Sequence, residues 1–165
     1  MKKLFILAVA AVAFAACGGN GGSSSNVEPL KEGAKFEMDN FSIMLPTGME
    51  ESYKSGDVLN ATCEDGAKFV INHFTGGPTK SQLKQTGEGL KGMVHAWDQS
   101  AVSENPVVDG NMVTLKSKIG DNVRYDFTYL KEDRVGVTGN FEFPEAEAAK
   151  YEDKFLPILK SVVFK

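Results

Sequence analysis

The chain is poor in the residue types that carry most enzyme chemistry. Its 165 residues include two cysteines, two histidines and one tryptophan. His73, His95 and Cys63 match neither the C-x-x-C nor the H-x-x-x-H spacing of common zinc sites, so no metal or cofactor is expected. Basic residues are outnumbered, with 18 Lys and Arg against 22 Asp and Glu and a formal charge of -4. Without a basic face the chain is a poor ligand for phosphate backbones, and nucleic acid is not an expected partner. There is no internal repeat, and no apolar run reaches the roughly 20 residues that a membrane-spanning helix needs.

What is present begins with a secretory signal. Lys2 and Lys3 precede an uncharged apolar run over residues 4–16 that ends on the small residues Ala15 and Ala16, the layout of an export signal. Phe14, Ala15, Ala16 and Cys17 then resemble the bacterial lipobox, with Phe14 where leucine is usual. That resemblance implies acylation of Cys17, cleavage ahead of it, and a lipid anchor. Gly18 rather than aspartate follows the cysteine, a pattern similar to lipoproteins of the outer membrane, which implies a position there facing the periplasm. Several acyl chains hold a protein to a bilayer where one does not.

The stretch GGNGGSSSNVEP after Cys17 is glycine- and serine-rich and reads as a flexible tether. The expected organisation is therefore a signal over residues 1–16, a lipidated cysteine and tether over 17–35, and one globular domain over 36–165. Loss of Lys2 and Lys3 with the signal takes the formal charge from -4 to -6. Only Cys63 then remains in the domain, so no internal disulfide can form and stability rests on packing. A small buried thiol is the plain reading of Cys63, beside a reactive or intermolecular one.

Alternation with period two marks strands with one buried face. Val123, Tyr125, Phe127 and Tyr129 oppose Arg124, Asp126 and Thr128; Val135, Val137, Phe141 and Phe143 oppose Thr138, Asn140 and Glu142; Val113, Leu115 and Ile119 oppose Thr114, Lys116 and Lys118. Short turns between them predict a three-stranded antiparallel meander over residues 111–143. Residues 41–45, 58–62 and 67–74 add about three strands to the same sheet. Thr79 and Gln82 make a capping-box pair ahead of a helix that carries Leu83, Leu90, Met93, Val94 and Trp97 near one face. A last helix from Pro144 and Glu145 turns Ala148, Tyr151, Phe155, Ile158 and Leu159 inward, with Pro157 kinking or restarting it. The expected fold is α+β, a single antiparallel sheet of about six strands flanked by two helices.

This order of elements, opened by FSIMLPTGM and closed by FLPILKSVVFK, resembles the PsbP, DcrB and Mog-like group of small α+β domains. The resemblance implies a mostly non-enzymatic fold used for docking; it transfers no functional residue.

Gly87, Gly89 and Gly92 spell the letters of the dinucleotide fingerprint, but a polar helical segment precedes them where a strand should stand. They read instead as close packing on the sheet, a break in the helix, or a mobile lid. A Cys63 and His95 nucleophile pair lacks a third orienting group. Trp97 either anchors its helix or contacts a partner or ligand. The polar sheet face of Lys116, Arg124, Asp126, Asn140 and Glu142 reads as a solvated, helix-covered or binding surface. The expectation is a non-catalytic envelope binding or accessory protein that docks a protein partner or small ligand through Trp97 and that face. The alternative is a small envelope enzyme with a Cys/His site.

Overall fold

The computed structural model describes residues 27–165; the signal, Cys17 and most of the tether lie outside the described residues. In chain order the strands are β1 (Ala34–Glu37), β2 (Phe41–Leu45), β3 (Glu50–Ser55), β4 (Val58–Thr62), β5 (Lys68–Thr75), β6 (Val102–Ser103), β7 (Val107–Asp109), β8 (Met112–Ile119), β9 (Asn122–Glu132), β10 (Val135–Pro144) and β11 (Val163–Phe164). Helix α1 (Leu83–Trp97) lies between β5 and β6; α2 (Ala148–Tyr151) and α3 (Phe155–Lys160) lie between β10 and β11.

The alternating segments form the expected meander, β8 to β9 to β10, with every pairing antiparallel. It sits inside a larger sheet than six strands. The described residues form an eight-stranded sheet in the order β3, β4, β5, β10, β9, β8, β6, with β7 also paired to β8. A second, three-stranded sheet has the order β1, β2, β11. Strand β2 therefore leaves the large sheet to which its sequence assigns it. Four of its five residues are buried, and a strand covered on both faces carries no alternation to fix its neighbours.

The main core lies between one face of the large sheet and a layer made of the small sheet, α2 and α3. Phe69, Phe127, Phe141 and Phe143 from the sheet meet Phe41, Ile43, Tyr151, Phe155 and Ile158, all nearly inaccessible. The rings interlock: Phe141 meets Tyr151 edge-on at 5.3 Å between centroids, and Tyr125 stacks on Phe155 at 4.4 Å. Each such side chain contributes roughly 1.5–3 kcal/mol through burial. Folded contacts begin ahead of residue 36. The Leu30 N–H bonds the Pro157 carbonyl at 2.9 Å, and Leu30 packs on the core.

The opposite face carries α1. Leu83 packs on Val113 and Leu130, while Leu90 and Val94 pack on Leu115. The Thr79 N–H donates to Gln82 Oε1 at 2.9 Å, which completes the Gln82 half of the capping pair. Met93 and Trp97 depart from the expected inward face: they are exposed. The helical repeat of 100° per residue puts them about 90° and 50° from the centre of the stripe made by Leu83, Gly87, Leu90 and Val94.

The last helix is interrupted as expected, but ahead of Pro157. A tighter 3-10 turn over Glu152–Lys154 separates α2 from α3. Proline has no N–H for the carbonyl four residues back, and its ring crowds that carbonyl, so the disturbance falls at Asp153. No helix among the described residues is long and apolar enough to cross a membrane.

Candidate binding face beside Trp97

The register of β9 and β10 assembles the polar residues singled out in the sequence. Arg124 stands opposite Glu142, and Asp126 opposite Asn140. Period two turns all four away from the aromatic core, towards the α1 side. The Arg124 guanidinium donates to Asp126 through Nε at 3.1 and 3.0 Å and through its terminal nitrogen at 2.7 Å. Its other terminal nitrogen lies 3.8 Å from Glu142, which accepts from Asn122 Nδ2 at 2.9 Å. Thr128 and Thr138 continue the row at 3.2 Å.

Trp97 joins this cluster through the end of α1. The Asp98 carboxylate accepts from the Ser100 N–H at 2.8 Å and hydroxyl at 2.6 Å. These bonds hold the Asp98 carboxyl below its usual range and build a local turn that stops the helix. Trp97 is thereby its last residue. The indole reaches over β9, where the Arg124 guanidinium lies 5.4 Å from the ring centroid. The residue is 68% exposed, so it does not anchor the helix in the core.

Burial pushes the Asp126 carboxyl up, against the opposing pull of Arg124. Its side chain is 7% exposed and that of Arg124 14%. The cluster is thus a hydrogen-bonded, charge-paired floor under an exposed aromatic residue, an arrangement suited to holding a ligand.

Lys116 does not belong to this face, contrary to the sequence reading. It stands opposite Tyr125, lies 5.7 Å from that ring, and pairs with Glu152 at 2.7 Å. Strand β8 puts Val113, Leu115 and Ser117 beneath α1, so its lysines point to the other layer. Beside them a cleft of about 280 Å³ is lined by Lys116, Lys118, Glu145 and Glu152. Lys118 donates to both Glu145 carboxylate oxygens, at 2.8 and 2.7 Å.

The scattered reactive groups stay apart. Cys63 is half-buried after β4 beside Asp65 and Tyr151. His73 lies on β5 with Nδ1 3.5 Å from Asp57, and His95 is on the exposed side of α1. Among the described residues no three His, Cys, Asp or Glu side chains converge as metal ligands would. Burial raises the Asp65 carboxyl, and hydrogen bonds from Lys150, Tyr151 and the Ala67 N–H more than offset it, holding it well below the usual carboxylate range. Burial pushes the Tyr151 hydroxyl well above its own.

Gly87 to Gly92 lie inside α1, far from a strand-to-helix turn. A Cβ on Gly87 would stand 2.5 Å from Pro106 Cβ and 2.8 Å from Val113 Cγ2, whereas Gly89 and Gly92 face open space. Close packing therefore explains Gly87 alone. The sequence reading missed Tyr53, Asn60 and Asn72, which extend the same face across β3, β4 and β5. Alternation on β4 and β5 could have found Asn60 and Asn72.

The large antiparallel sheet with helices against both faces is the architecture of the PsbP and Mog-like domains. Solved structures that share it include two of similar length. One is the Ran-binding protein Mog1p of Saccharomyces cerevisiae, with TM-score 0.54, 10% identity, 80% of this chain and 96% of that one covered. The other is cyanobacterial PsbP (CyanoP) from Synechocystis sp. PCC 6803, with TM-score 0.52, 16% identity, 88% and 98% covered. No protein-family model matches the sequence, and no curated protein sequence matches it.

Proposed function

We propose that this protein is a non-catalytic binding or accessory domain of the cell envelope, lipid-anchored through Cys17 in the outer membrane and facing the periplasm. The observation that carries the reading is Trp97: the one tryptophan of the chain is exposed over a charge-paired floor of partly buried Arg124 and buried Asp126. Large aromatic and arginine side chains dominate binding energetics when a partner desolvates them. The separation of Cys63 from both histidines supports binding over a Cys/His enzyme. The likeness to a protein described as Ran-binding supports the same reading, because that fold serves docking there.

The test has two parts. Labelled palmitate should enter the wild type and not Cys17→Ala. A photocrosslinking residue at Met93, exposed on α1 near Trp97, should yield discrete adducts in intact cells, while one at Val163, exposed on the small sheet, should not. Equal adducts from both positions would contradict the assignment of the face.

A further inference from the structure

We propose that the open part of the large sheet, from Trp97 to Tyr53, binds an uncharged oligosaccharide. This rests on the reading of that face as the binding surface and names the ligand it takes. Helix α1 packs on β6, β7, β8 and β9, and the polar row continues beyond its edge. The register lays Tyr53, Asn60, Val70, Asn140 and Asp126 in one line across five strands, with Asn72 and Glu142 in the lines on either side. Strands stand about 4.8 Å apart, so the line from β3 to β9 spans about 19 Å, the length of about four sugar rings.

Three properties of this strip select the ligand. First, its charges cancel locally: Arg124 is paired with Asp126 and Glu142, and Lys68 stands opposite Glu142. A strip without net sign offers nothing to a polyanion or a basic peptide and suits a neutral one.

Second, Asn60, Asn72 and Asn140 stand outside the network that links Arg124, Asp126, Glu142, Asn122, Thr128 and Thr138. Asn60 Oδ1 is buried and has no hydrogen-bond partner among the described residues. A buried acceptor left unmatched costs about 1–3 kcal/mol, and a turn of the Asn60 carboxamide outward onto a ligand hydroxyl would relieve that cost. Carboxamides both donate and accept, as vicinal sugar hydroxyls require.

Third, aromatic rings stand at both ends. Trp97 rests one face on Arg124 and is 68% exposed, and Tyr53 is 53% exposed. Exposed ring faces stack on the C–H faces of sugars through dispersion and weak C–H contacts. A protein partner would be expected to find several apolar anchors here; between the rings the line carries Val70 alone, with Val58 beside Asn72 in the neighbouring line.

Trp97 makes the test direct, because all tryptophan fluorescence comes from this site. The lipidated full chain, in a detergent without a sugar head group, is titrated with cellohexaose, maltohexaose and the hexamer of N-acetylglucosamine. Isothermal calorimetry runs in parallel. Titration to roughly 10 mM saturates any complex with a Kd of about 1 mM or tighter.

The proposal expects a saturable emission change with at least one of the three. It expects affinity to fall about tenfold in Asn140→Ala and in Asn60→Ala, the loss of one or two hydrogen bonds, with unchanged affinity in Val163→Ala. Melting temperatures within a few degrees of wild type establish that the variants are folded. Binding that survives Tyr53→Ala, Asn60→Ala and Asn140→Ala overturns the site, as does no signal from any hexasaccharide by either method. In the latter case, adducts from Met93 in intact cells would leave the binding face standing with a protein as its ligand. Their absence as well would remove both readings.

Discussion

Replacing Arg124 by methionine tests the floor of the face most sharply. Methionine keeps much of the apolar stem and removes the three N–H···O bonds to Asp126. The carboxylate left behind has 7% of its side chain exposed. Breaking a buried pair by deleting one partner costs about 3–5 kcal/mol, because the other charge stays buried and uncompensated. Against a typical total of roughly 5–15 kcal/mol, the variant should lose about a fifth of its stability or more. At about 2–4 °C per kcal/mol for a domain of this size, melting should fall by about 10 °C. The pH dependence has a definite sign. Burial already raises Asp126, and Arg124 opposes that rise, so the methionine variant holds a carboxyl raised further. A group whose folded pKa lies above its unfolded one stabilises the fold below the unfolded value and loses that contribution as pH rises through the folded one. The deficit of Arg124→Met should thus be largest at pH 7 and shrink on acidification towards pH 4. Adding Asp126→Asn should restore most of the loss at neutral pH. Urea unfolding of both variants at pH 7 and pH 4.5 reads this directly. A cost below about 1 kcal/mol that does not change with pH would mean the pair behaves as an exposed salt bridge and would refute the reasoning.

Other substitutions separate packing from surface. Gly87→Ala should destabilise by about 1–3 kcal/mol, because its Cβ overlaps Pro106 and Val113. Gly89→Ala and Gly92→Ala, facing open space inside a helix, should each stabilise by about 0.5–1 kcal/mol, and chemical denaturation will show the opposite signs. Trp97→Ala should change stability by less than about 0.5 kcal/mol, whereas Leu90→Ala, buried beneath the same helix, should cost about 2–5 kcal/mol. Asp65 is held below the usual carboxylate range, so its contribution is present above about pH 4 and is lost as pH falls towards its folded value. Acid unfolding should be less steep in Asp65→Asn than in the wild type.

The parts of the fold that alternate were legible in the sequence, and the parts that do not were not. Strands β8, β9 and β10 each present an apolar and a polar side, and their register follows from short turns. Strand β3 is exposed at all six residues, so no pattern announces it. Strands β6 and β7 are two and three residues long, too short for periodicity to mark. The reading of Lys116 failed because alternation says which residues share a face of one strand, not which side of the sheet that face meets. Trp97 was misplaced within α1 because it lies at the margin of the helical stripe, where the end of the helix decides its exposure. The grouping of Arg124, Asp126, Asn140 and Glu142 was legible, since two strands of one hairpin have little freedom of register. Asn60, Asn72 and Tyr53 joined that group only through pairing between strands distant in sequence.

The central claim is that the face between Trp97 and Tyr53 is occupied in the cell. Hydroxyl-radical footprinting, read by mass spectrometry, can compare the protein in intact cells with the purified protein. The account predicts that Trp97 and Tyr53 are oxidised several-fold less in cells, while Val163 and Val107, exposed elsewhere on the fold, react equally in both. Equal oxidation of Trp97 and Tyr53 in the two samples, or protection confined to Val163 and Val107, would contradict it.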